Sequence, residues 1–151
     1  MQPVDTLYRE IKWNGESEWS SKAEQVHGLS LTYLEENGIS EEEAVADIVE
    51  FIMKYWGPTV PVSLLGHNVA TFDKPFLLRL LRKYGIELKV ASKNIDTNTL
   101  GSILMNTHNS DELFEYLGIK RTQHNSLEDA LAAVTTCRVL RKIFNSNVSA
   151  D

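Results

Sequence analysis

The residue pattern predicts an α/β domain containing at least one parallel pair of strands, and three observations carry that reading. Short apolar runs alternate with stretches of helical periodicity, the arrangement that places helices between parallel strands. Glycine, proline and capping residues punctuate those stretches at element-sized intervals. The 151 residues, 42% apolar and 24% charged, match a single globular domain in length and composition.

The elements follow in order along the chain. Residues 6–13 alternate, with Leu7, Ile11 and Trp13 on one side and Tyr8, Glu10 and Lys12 on the other, which predicts a half-exposed strand. Asn14-Gly15 marks a turn. Residues 21–37 read as helix interrupted at His27-Gly28. Ser40 with Glu43 forms a capping box that opens a helix to about Trp56, with an apolar stripe of Val45, Ile48, Ile52, Tyr55 and Trp56. Gly57-Pro58 stops it.

Residues 60–65 predict a short buried strand that runs directly into Gly66-His67-Asn68. Pro75 belongs in the first turn of the next helix, with Asp73 as its N-cap and Gly85 as its stop. A weaker strand over 88–95 ends at Asp96-Thr97. Two short helices are expected near 98–105 and 111–117, the second stopping at Gly118. A long helix capped by Ser126 is expected from about Leu127 to Phe144, so that a single domain covers 1–145 and a polar tail 146–151.

Composition excludes several classes. The longest unbroken apolar run is Ala130 to Val134, far too short to cross a bilayer, and the first residues lack an apolar signal core. The single Cys137 has no partner within the chain, which points to a reducing, cytoplasmic setting. Net charge is −6, but residues 1–50 hold 12 acids and 3 bases while residues 51–151 hold 9 acids and 12 bases. A polyanion would therefore meet the later part of the chain. The four histidines show no His-x-x-x-His spacing, which leaves a zinc hydrolase without support.

Two constellations can carry chemistry. The first, Gly66 to Asp73, joins a strand end to a helix start, where open α/β sheets bind ligands. The second, His124 to Ala130, sets a histidine and Asp129 at the entrance of the last helix. Read alone, each favours a cap or a turn. Read together, two carboxylates and a histidine at helix entrances can converge on one site, and such oxygen donors suit Mg²⁺ or Mn²⁺.

Those residues resemble a known family. Gly-His-Asn-x-x-x-Phe-Asp-x-x-Phe-Leu over 66–77 is similar to the second motif of the DEDDh-class 3′–5′ exonucleases, the group containing the proofreading epsilon subunit of DNA polymerase III, with one extra residue between Asn68 and Phe72. His-x-Ser-x-x-Asp-Ala over 124–130 is similar to the third motif. Val26-His27-Gly28-Leu29-Ser30 and Asp96-Thr97 resemble two further segments of the family, in order. The resemblance implies a ribonuclease H-like fold, a mixed sheet with flanking helices, and hydrolysis of phosphodiester bonds from the 3′ end of single-stranded nucleic acid, DNA ahead of RNA. It implies Asp129 and Asp73 as ligands of two Mg²⁺ or Mn²⁺ ions and His124 as general base. Asn68, Phe72, His27 and Leu29 would meet the substrate, and a polymerase or a second copy would be a further partner.

One motif of the family has no counterpart. Its Asp-x-Glu-Thr would lie some tens of residues before His27, yet only 26 residues precede His27 and none forms Asp-x-Glu. The first two strands of the fold are therefore expected to be missing. Two readings stand: a metal-dependent exonuclease, or a non-catalytic module of that fold that binds nucleic acid or protein.

Overall fold

A computed structural model describes residues 2–120 and 125–148. The described chain is helix-dominated α/β. Its elements are α1 (Ser21–His27), α2 (Leu31–Asn37), α3 (Glu41–Tyr55), β1 (Leu65–Gly66), α4 (Asp73–Lys83), β2 (Ile95–Asp96), α5 (Thr97–Met105), α6 (Ser110–Tyr116) and α7 (Ser126–Val148). Among the described residues no helix is long and apolar enough to cross a membrane.

The helical expectations hold closely. Gly28 takes the left-handed conformation (φ 74°) and separates α1 from α2. Ser40 and Glu43 close the capping box of α3, and Val45 and Ile52 of the expected stripe are buried while Tyr55 and Trp56 stay exposed. Two caps differ from expectation. Asp73 is the first residue of α4 rather than its N-cap, and Phe72 stands in the cap position without a capping side chain. Asn125, not Ser126, caps α7: its carbonyl accepts from the Asp129 N–H at 2.9 Å and its side chain accepts from the Glu128 N–H at 3.1 Å. Asp129 is thus the fourth helical residue, and α7 runs on past 145 to Val148.

The strands are shorter than their apolar runs. Pro61 has no N–H to give to a ladder, so pairing begins at Val62, which bridges Val90. Leu65 and Gly66 then pair in parallel with Ile95 and Asp96. Three residues on one strand are matched by five on the other, and the difference is absorbed as a bulge. There the Asn94 side chain accepts from the Leu64 N–H at 3.3 Å, in place of a backbone carbonyl. Where a mixed sheet is expected, the described residues hold this one parallel pair. The strand expected over 6–13 makes a single parallel bridge, Ile11 to Ile39, through Lys12 N–H to Ile39 O and Ile39 N–H to Glu10 O, each 2.9 Å.

Polar ties hold that N-terminal segment to the helices. Asp5 accepts from Lys54 Nζ at 2.8 Å, Arg9 pairs with Asp47, and Lys83 pairs with both Glu16 and Glu41. An apolar cluster joins the later helices. Leu113 and Phe114 of α6 pack on Ala132 of α7, with Met105, Leu117 and Ile119 around them. Gly101 lets α5 close onto α6: a Cβ there would lie 2.5 Å from Thr107 Oγ1 and 3.1 Å from Leu113. α7 packs across β1. That crossing brings the strand end and the start of the last helix together.

Candidate functional site

β1 ends at Gly66, and the chain turns there into α4. The turn needs a residue that tolerates positive φ, and Asn68 supplies it at 59°. The Asn68 N–H donates to Asp96 Oδ1 at 3.1 Å, and the same oxygen accepts from the Asn98 N–H at 3.0 Å. One carboxylate therefore holds the turn after β1 and caps α5. The Asn68 side chain accepts from Asn98 Nδ2 at 2.8 Å. Gly66 is confined, since a Cβ there would sit 3.0 Å from Val69 Cβ.

A cleft of about 480 Å³ opens at this strand end. Its walls include Gly66, His67, Phe72 and Asp73 from the β1–α4 connection, Phe114 from α6, and Ser126 and Asp129 from α7. Asp73 and Asp129, placed 56 positions apart in the chain, thus face one space.

Asp73 is exposed as a residue, yet its Oδ2 lies only 3.9 Å from where a Gly66 Cβ would stand. Desolvation of the carboxyl raises its pKa, and the neighbouring Asp96 carboxylate adds to the rise; the Asp73 backbone N–H and His67 oppose it. A carboxylate in that position gains from a cation beside it.

His67 reads from sequence as a turn former, but it lines the cleft. Thr97 Oγ1 donates to Gly66 O at 3.2 Å and lies 3.2 Å from His67 Nδ1. The one hydroxyl thus stands between the Gly66 carbonyl and the His67 ring and fixes where the ring sits. The ring meets Phe114 edge-on at 6.4 Å. The available signal was its place directly after a strand end.

The other expected site residues divide. Phe72 lines the cleft and is 62% exposed. Asn68 is not among the residues that line the cleft, and its backbone shapes the turn after β1. His27 and Leu29 lie at the α1–α2 junction, where His27 Nδ1 accepts from the Leu29 N–H at 3.0 Å, and neither lines the cleft. His124 lies outside the described residues.

The donor set tests the expected metal. Asp73 and Asp129 offer oxygen donors of the kind Mg²⁺ and Mn²⁺ take, with water filling the remaining positions. Among the described residues no three His, Cys, Asp or Glu side chains gather closely enough to hold an ion by themselves. The two carboxylates supply donors of the chemistry that a hydrated divalent ion takes. Compared with protein-family models and with curated proteins, the chain matches none.

Proposed function

We propose that the cleft is the site of a metal-dependent 3′–5′ exonuclease of ribonuclease H-like fold acting on single-stranded nucleic acid, DNA ahead of RNA, in the cytoplasm. The observation that carries this reading is the meeting of Asp73 and Asp129 in one cleft at the end of a parallel strand. Both come from segments that resemble exonuclease motifs, and the cleft joins them.

In this reading Asp73 and Asp129 hold one Mg²⁺ or Mn²⁺ ion. When bound, the ion supplies charge stabilisation to the phosphoryl oxygens. His124, next in sequence to the α7 cap, takes the proton of the attacking water, a task suited to an imidazole. Phe72 offers its exposed ring to the terminal base. His67 stands on the cleft wall with its Nδ1 against Thr97 Oγ1.

The test is degradation of a 5′-labelled single-stranded oligonucleotide by the full chain, with Mn²⁺, with EDTA, and with Asp129→Asn. A ladder shortening from the 3′ end that needs Mn²⁺ and disappears in the variant is the expected result. A folded chain without turnover would overturn the reading. A second reading, a module that binds nucleic acid without cutting it, is favoured by the lack, among the described residues, of a group of three His, Cys, Asp or Glu side chains. It predicts binding of the same oligonucleotide that is indifferent to Mn²⁺.

A further inference from the structure

Beside the cleft, a row of groups continues from Phe72, at the cap of α4, along the helix, and beyond Phe72 the hydrolytic site does not use it. Phe72, Phe76, Arg79 and Lys83 are spaced at i, i+4, i+7 and i+11, so they lie along one face of the helix. Phe72 and Phe76 are 62% and 53% exposed, a costly arrangement for two phenyl rings on a free surface. Their centroids are 5.1 Å apart. The Arg79 guanidinium carbon lies 4.7 Å from the centre of the Phe76 ring. Phenyl, phenyl and guanidinium thus form a run of flat groups about 10 Å long along the helix axis.

The row joins two hollows. Phe72 lines the cleft, Phe76 and Arg79 line a second hollow of about 600 Å³ that also includes Trp13, and Leu77 lines both. α4 itself is basic, while the acids and bases that line the second hollow balance. α4 carries Lys74, Arg79, Arg82 and Lys83 against the single Asp73. The acids of the second hollow, Glu16 and Glu41, are already paired with Lys83. Among the described residues no carboxylate pairs with Arg79.

We propose that Phe76 and Arg79 continue from Phe72 as a stacking platform that carries the upstream bases of a single-stranded nucleic acid from the cleft into the hollow at Trp13. Every base has a π-face, so rings and a guanidinium plane bind strands with little regard to sequence, and the free cation meets the phosphate backbone. This inference rests on the nucleic-acid part of the function proposed above and specifies where the strand leaves the cleft.

The experiment reads binding apart from hydrolysis. The full chain is titrated against a fluorescein-labelled single-stranded oligothymidylate in EDTA, by anisotropy, at several salt concentrations. Phe76→Leu keeps the apolar bulk and removes the ring, and it should weaken binding at least about fivefold, while Phe76→Trp should restore it. Arg79→Gln should lower the slope of log K against log salt by about 0.7, the signature of one lost phosphate contact on a single strand. A strand of the same length made of abasic sites should bind the wild type as weakly as oligothymidylate binds Phe76→Leu. Equal binding of the abasic strand, an unchanged Phe76→Leu, or no binding by the wild type would each overturn the platform. A dimer in sedimentation that dissociates on Phe76→Leu would assign the row to self-association and overturn it as well. Hydrolysis in Mn²⁺ with binding untouched by Phe76→Leu sinks the platform alone. Binding that follows these variants without any hydrolysis sinks the exonuclease reading alone.

Discussion

Asp96 Oδ1 accepts the N–H of Asn68 from one strand end and the N–H of Asn98 from the next helix. A single oxygen therefore couples the turn that starts the cleft to the helix behind it. Removing it should cost a cap of about 1 kcal/mol and a second charged hydrogen bond of about the same size. Asp96→Ala is expected to lower the unfolding free energy by about 2 kcal/mol in urea titrations. Asp96→Asn, which keeps an oxygen acceptor, should lose less than half of that.

The two cleft carboxylates predict a binding property separate from turnover. Mn²⁺ titrated into the full chain and followed by electron paramagnetic resonance should occupy about one site. Asp73→Asn and Asp129→Asn should each weaken it at least about tenfold, since even groups that only support a ligand matter on that scale. Affinity unchanged in both variants would remove the cleft as a cation site.

At Gly38 the N-terminal segment passes very close to α2. A Cβ there would sit 2.6 Å from Leu34 O and 2.9 Å from Lys12 N, both backbone atoms that cannot rotate away. Gly38→Ala should therefore destabilise by about 1–3 kcal/mol. It should also speed hydrogen exchange at Lys12 and Ile39, whose amides form the bridge beside it. A stabilised variant would contradict the packing at this crossing.

Asp5 gives the N-terminal segment a dependence on acidity. Lys54 and then Tyr55, hydrogen-bonded to its carboxylate, and the Thr6 N–H hold its pKa at about 2, against an ordinary value of 3.8. The lowered value means the folded state binds this proton less readily than the unfolded state. Its contribution to stability is full above about pH 4 and disappears as pH falls to about 2. The melting temperatures of wild type and Asp5→Asn should differ slightly at pH 6 and converge by about pH 2. A gap that stays constant over this range would rule out the contact.

Thr136 on α7 is fully buried, and its hydroxyl has no hydrogen-bond partner among the described residues. Thr136→Val keeps the branched shape and removes the stranded oxygen. It should stabilise the fold by about 1 kcal/mol in the same urea titrations. A loss of stability would point to a partner for that hydroxyl.

Much of this architecture was legible in local chemistry. The Ser40–Glu43 box and the stops at Gly28, Gly85 and Gly118 depend on residues within one turn of one another, and each was read correctly. The start of α7 was misread by one residue because Asn125 and Ser126 are both good caps, and only the folded backbone chooses between them. The strands were read too long because apolar runs do not reveal that Pro61 withholds a donor or that Asn94 lends its side chain to the ladder. Asp73 and Asp129 were found as separate motifs, and the cleft unites them. His67 was missed because its orientation is set by Thr97, thirty positions away in the chain.

The bulge between the strands has a consequence for how this chain can vary in length. The pairing offset is 28 at Val62–Val90 and 30 at Leu65–Ile95, so the second strand holds two surplus residues. Side chains alternate faces along a strand, and an even surplus leaves that alternation in phase. An odd one would turn Ile95 and Asp96 to opposite faces and take the shared carboxylate away from Asn68. The segment can thus gain or lose residues in pairs without disturbing the cleft, while a single deletion would misdirect it. What must be preserved between Val90 and Ile95 is parity.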